Sequence, residues 1–179
     1  MLQVEMYLEI LLIYNKRSNQ LVTINIICVG KIKENYLKDA IQEYSKRLSK
    51  YCKLNILELP DEKIPDNLNP SLEQEIKNKE CKNIINHIKN STYIISLDLK
   101  GKELSSEEFS NRLEKIELES SSITFIIGGS LGLTNEVLNI SNEKICFSKL
   151  TFPHQLIRVF LLEQIFRAFK IRYGENYHR

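Results

Sequence analysis

A chain of 179 residues that is 42% hydrophobic and 27% charged can bury a core without staples and fits a single domain. A membrane span is excluded by composition: residues 2–14 are apolar but carry Glu5 and Glu9, lack a basic leader, and fall short of the roughly 20 residues a spanning helix needs. The formal charge of +2 hides a segregation, with seven Lys/Arg against three acids in residues 31–53, five against two in 151–179, and nine against fourteen in 54–120, so two basic segments converging on one face would meet a polyanion. In chain order, LVTINIICV (21–29) is β-branched and closed by Gly30, which predicts a buried strand. The segment 34–51 follows with apolar residues at 37, 40, 41, 44, 48 and 51, a helical spacing. KLNILEL (53–59) predicts a second strand, PDEKIPDNLNPS (60–71) a polar loop, and 71–89 a helix. TYIISLDL (92–99) predicts a third strand, Ser105 or Ser106 a cap for a helix through 117, and SITFIIGG (122–129) a fourth strand. A short helix over 134–140 leads to KICFS and a long apolar closing helix, with Pro153 in its first turn and Thr151 helping to cap it.

Strands alternating with helices at this spacing predict an α/β domain, a mostly parallel sheet flanked by helices, because parallel neighbours need crossover connections. Ligands of such sheets sit at the carboxyl ends of the strands. Three strand ends carry unusual chemistry: Leu97–Gly101, Gly128–Gly132 and Phe147–Phe152. Cys28, Cys52, Cys81 and Cys146 have no zinc-ligand spacing and read as reduced thiols of a cytoplasmic protein without a metal.

GGSLG (128–132) matches the nucleophile elbow of serine hydrolases, with Glu136 or Glu143 and then His154 as partners to offer. No HGGG-like oxyanion segment precedes Ser130, and that fold needs a larger chain. The same glycines fail the dinucleotide fingerprint, and VGK at 29–31 lacks the frame of a phosphate loop. They do offer backbone that a flat ligand can approach closely. His154 reads either as a proton carrier or as a structural residue. The closing helix is apolar on more than one stripe, so a second subunit is a natural cover, with Phe160 or Phe166 facing it. The terminal Tyr177, His178 and Arg179 can stack on bases, move a proton and hold a phosphate, and their removal is expected to touch little core.

VGKIKENYLKDAIQEYSKRL, PDEK, IIGGSLGL, FSKLTFPHQLIRVFLLEQIFRAFKI and the terminal YHR together resemble the ribosomal RNA large subunit methyltransferase H (RlmH) family of the SPOUT class. The resemblance covers residues 22–179 and implies a C-terminal trefoil knot, a homodimer, and S-adenosylmethionine as methyl donor. The implied product is N3-methylpseudouridine in a 23S rRNA stem-loop of the assembled ribosome; a non-catalytic RNA-binding module is the bland alternative. Carried over by position, the donor pocket would use Leu97, Gly128 and the run Phe147, Ser148, Lys149, Leu150, Thr151, Phe152. The candidates for acceptor chemistry are His154, Arg158, Tyr177, His178 and Arg179, with the tail completing a partner's pocket. Residues 1–21 precede Val22, where members of that family begin. They read as a mis-called leader, if the valine codon is an alternative start, or as an extension folded against the surface.

Overall fold

A computed structural model describes residues 21–177. Residues 1–20 of the N-terminal extension, and His178 and Arg179, lie outside the described residues. The elements in order are β1 (Val22–Val29), α1 (Asn35–Leu48), β2 (Cys52–Leu59), α2 (Pro70–His87), β3 (Tyr93–Glu103), α3 (Ser106–Glu119), β4 (Ser122–Ile127), α4 (Asn135–Ile140), β5 (Glu143–Cys146) and α5 (His154–Arg172). The five strands form one sheet in the order β2-β1-β4-β3-β5, and every pairing is parallel.

The sheet is covered on both faces, as a parallel sheet requires. Ile24, Ile26 and Cys28 of β1 and Ile123, Phe125 and Ile127 of β4 pack with α1, α3 and α5. The alternate residues Ile27, Val29 and Ile126 pack with α2 and α4. Crossovers through α1 and α3 step one way along the sheet and those through α2 and α4 the other. With the two sets on opposite faces, all four share one hand, as the crossover rule demands.

Local sequence explains where the helices start. Asn69 accepts the Leu72 amide ahead of Pro70, Ser105 and Glu108 form a capping box, and Thr134 accepts the Val137 amide. α5 differs from expectation, because no side chain caps it and Thr151 is exposed. Pro153 is the residue that precedes the helix, and its carbonyl accepts from the amides of Leu156 and Ile157. β4 ends two residues early because the glycine turn folds back, Gly132 N–H donating to Gly129 O at 3.0 Å. β3 runs past the predicted end: after Leu97 the chain makes an excursion over 98–101 and rejoins β5, so that Ile145 pairs with both Leu97 and Lys102. The apolar breadth of α5 is explained largely within the chain, since α5 lies between α1 and α3 and over the sheet. All four cysteines are free and buried. Among the described residues no helix is long and apolar enough to cross a membrane.

Candidate functional site

The parallel register brings the carboxyl ends of four strands to one edge. Cys28 is level with Ile127, Ser96 with Ile126, and Leu97 with Ile145. Leu97, Gly128 and the start of the 147–152 loop therefore meet, although they lie up to 55 residues apart in sequence. Within the loop, Ser148 Oγ accepts the Leu150 amide at 3.0 Å, and Ser148 O accepts from the Cys146 thiol. This turn exposes Lys149, Leu150 and Thr151 while Phe147, Ser148 and Phe152 stay half-buried. Phe152 meets Phe160 edge-on at 5.4 Å. A cavity of about 360 Å³ opens beside the loop, lined among others by Leu104, Ile145, Phe147, Phe152 and Gln164, within the size range of small-molecule pockets.

The glycine turn is tightly built. A Cβ on Gly128 would lie 2.9 Å from the Gly132 carbonyl carbon, and Gly132 has φ +76°, which favours glycine. Ser130 is exposed on this turn, and among the described residues its side chain hydrogen-bonds neither a histidine nor a carboxylate. The hydrolase constellation is thus not assembled.

His154 stands over Gly30 at the end of β1. A Cβ on Gly30 would lie 3.0 Å from His154 Nε2, and Gly30 has φ +85°, so space and backbone both call for glycine there. Burial holds the His154 ring below the ordinary imidazole range, the Arg158 guanidinium adds to this, and Asp61 and Glu34 oppose it. The first two effects favour the neutral ring, whose nitrogen lone pair can accept a proton.

Arg158 is only 1% exposed. Its terminal nitrogens donate to Glu58 Oε1 at 2.9 Å, Val29 O at 2.6 Å and Gly30 O at 2.8 Å. Glu58 Oε1 also accepts the Ile32 amide. These bonds tie α5 to the ends of β1 and β2 and set the floor beneath His154. The guanidinium is engaged by its own chain, not displayed toward the loop. Tyr177 folds back on the middle of α5: its hydroxyl donates to Glu163 Oε2 at 2.9 Å, its ring meets Phe166 at 5.0 Å, and the Arg167 guanidinium lies 4.8 Å from its centroid. Tyr177 thus packs on core, contrary to the expectation that removing the tail touches little of it. Glu163 is nine residues from His154, on the order of 14 Å along a helix. The structure therefore joins Leu97, Gly128, the 147–152 loop and His154 at one edge and sets Tyr177 apart.

Sequence reasoning passed over Gly30 and Glu58. In the sequence Gly30 closes a strand within a VGK that fails as a phosphate loop, and Glu58 sits in a strand whose side-chain pattern gives no hint of a partner a hundred residues away.

Comparison with known proteins identifies the family of the chain. The family described as "Predicted SPOUT methyltransferase" matches residues 22–178. Ribosomal RNA large subunit methyltransferase H of Clostridium botulinum is 59% identical over 159 residues, which is 88% of this chain and 100% of that protein. Ribosomal RNA large subunit methyltransferase H 1 of Clostridium perfringens is 57% identical over the same shares. Among solved structures, the TrmH/SpoU tRNA modifying enzyme of A. aeolicus aligns with a TM-score of 0.48 at 10% identity, over 91% of this chain and 86% of that one; so loose a likeness has no bearing on the site.

Proposed function

This chain belongs to the ribosomal RNA large subunit methyltransferase H family of SPOUT methyltransferases, and from that premise we propose that it methylates N3 of a pseudouridine in a 23S rRNA stem-loop of the assembled ribosome, with S-adenosylmethionine as donor. The observation that carries the proposal is identity of 59% across the whole length of a relative bearing that name. The meeting of Leu97, Gly128 and residues 147–152 at one sheet edge supports it from within the chain.

The residues present suit a nucleoside-bearing sulfonium. Phe147 and Phe152 offer flat apolar faces, the exposed turn 149–151 offers backbone donors and acceptors, and the glycine turn allows close approach. The donor supplies a methyl carbon on sulfur. The work left to the protein is alignment of acceptor N3 with that carbon and disposal of the N3 proton. His154, whose ring is favoured neutral, would take the N3 proton that the acceptor loses on methylation. Arg158 serves as a positioning residue, holding Gly30 and α5 so that His154 keeps its place.

The fold carries the trefoil knot and works as a homodimer in this reading. The knot is supported by the way β3 wraps β5: Ile145 pairs on both sides of the 98–101 excursion, where a Cβ on Gly101 would lie 2.6 Å from the Ile145 carbonyl carbon. The dimer is supported by apolar surface around the loop, where Leu150 is 71% and Phe160 37% exposed. It is supported too by the separation of Tyr177 from His154, which a partner's tail would bridge.

Purified protein incubated with labelled S-adenosylmethionine and ribosomes carrying the pseudouridine should transfer label to 23S rRNA, and ribosomes with uridine at that position should take up far less. Ribosome binding without label transfer and without donor binding would instead assign an RNA-binding module.

A further inference from the structure

We propose that Glu80 is a positioning residue of the donor site, a buried carboxylate on α2 that seats the 60–63 loop and the glycine turn 128–132 against one another; this rests on the methyl-transfer reading above. Glu80 is 6% exposed and shares the buried stripe of α2 with Ile76, Cys81 and Ile84. An aliphatic side chain would suit that stripe better, because a buried carboxylate costs stability unless fully paired. Pairing is incomplete here. Glu80 Oε1 accepts the Glu62 amide at 3.0 Å, while Oε2 is buried without a hydrogen-bond partner among the described residues.

That second oxygen lies against the glycine turn. A Cβ on Gly129 would fall 2.8 Å from Glu80 Oε2 and 3.1 Å from Val29 Cγ1. Gly129 has no positive φ, so a side chain there would not strain the backbone but would have to displace the Glu80 carboxylate. The residues on either side act on the same 60–63 loop and on the N-cap of α4, two positions past the turn. Lys79 Nζ pairs with Glu62 Oε2 at 2.8 Å, and Cys81 Sγ accepts the Thr134 amide at 3.3 Å. Three consecutive residues of α2 thus hold two loops at the carboxyl edge, and one of these loops carries Asp61, whose charge is felt at His154. A core stripe interrupted by a carboxylate with one oxygen left unpaired breaks a local rule, and such breaks are expected at functional sites.

The test is calorimetric titration of the full chain with S-adenosylmethionine, with a melting curve for each variant. Glu80→Gln keeps an oxygen for the Glu62 amide and should bind the donor within about twofold of wild type. Glu80→Ala should weaken binding about tenfold, with KM for the donor rising and kcat at saturating donor held, since small misplacements of a site are costly. Gly129→Ala should weaken binding comparably by displacing the carboxylate. The double variant should bind no worse than Glu80→Ala alone, because loss of the carboxylate already vacates the space that the new methyl group needs.

A folded Glu80→Ala protein that binds as wild type overturns the inference, and so do additive effects in the double variant. Should Glu80→Ala not fold, weak binding by Gly129→Ala with retention by Glu80→Gln supports it, and any other pattern overturns it. A wild-type protein that binds no donor overturns the methyl-transfer reading and this inference with it, a result unlike any of the others.

Discussion

Arg158 shows how much one side chain decides at this edge. Its three hydrogen bonds span β1, β2 and α5, and two of its acceptors are backbone carbonyls that lose a buried donor if it is removed. Arg158→Met should therefore lower unfolding stability by about 2–4 kcal/mol in urea titration, since buried acceptors left without donors are expensive. Arg158→Lys should recover only part of this, because an ammonium lacks the fork that reaches Glu58, Val29 and Gly30 together. His154 makes a pH prediction. Its ring is held below the ordinary value of 6.5 in the fold, so the unfolded chain takes up the proton more readily. This contribution to stability is complete above pH 6.5 and is lost as pH falls through the lower folded value. Melting temperatures of wild type should drop more than those of His154→Gln as pH is lowered below 6.5; parallel curves would remove His154 as the cause.

At the scale of elements, α5 separates two phenylalanines that the sequence left equivalent. Phe166 is 8% exposed and packs edge-on against Tyr44, Tyr51 and Tyr177, whereas Phe160 is at the surface beside Phe152. Phe166→Ala should cost about 3–5 kcal/mol of stability as a core cavity. Phe160→Asp should leave the fold intact and, if the dimer is as proposed, halve the sedimenting mass and lower activity. A Phe160→Asp protein that remains dimeric and active would place the interface elsewhere. The α3 start is a smaller case. Ser105 and Glu108 cap it reciprocally, and Ser105→Ala should cost about 1 kcal/mol by denaturant unfolding.

For the whole molecule, the tail and the thiols are the informative probes. Tyr177 packs on Phe166 and bonds Glu163, so deleting residues 177–179 removes part of the core edge as well as the tail's chemistry. Deleting only His178 and Arg179 isolates the chemistry: stability and donor binding should hold while kcat and kcat/KM fall together, the pattern of a contact made in the transition state. Undiminished turnover would return the acceptor chemistry to the His154 edge alone. Burial pushes the Cys28 thiol up to about 11 and the Cys52 thiol up to about 12, leaving both protonated and shielded. A thiol reagent at neutral pH should label them only in denaturant, and rapid labelling of the native protein would mean that the sheet opens easily.

The alternation of β-branched runs with amphipathic helices was enough to predict an α/β domain with a parallel sheet, and all five strands are found, because period and length are local properties of the chain. Cap residues such as Ser105 were readable for the same reason, since a cap and its amides lie within four residues. The three strand ends singled out in the sequence meet in the structure, and their convergence follows from parallel register alone. Sequence could not say that β3 continues beyond Leu97, because that pairing depends on β5 more than forty residues later. Nor could it separate Phe160 from Phe166, or show that Arg158 is spent on Glu58 and two carbonyls at the end of β1. Those outcomes were decided by tertiary packing: which side of a helix meets α1 or α3, and which buried acceptors lie within reach of a guanidinium, are fixed only when segments a hundred residues apart are brought into contact.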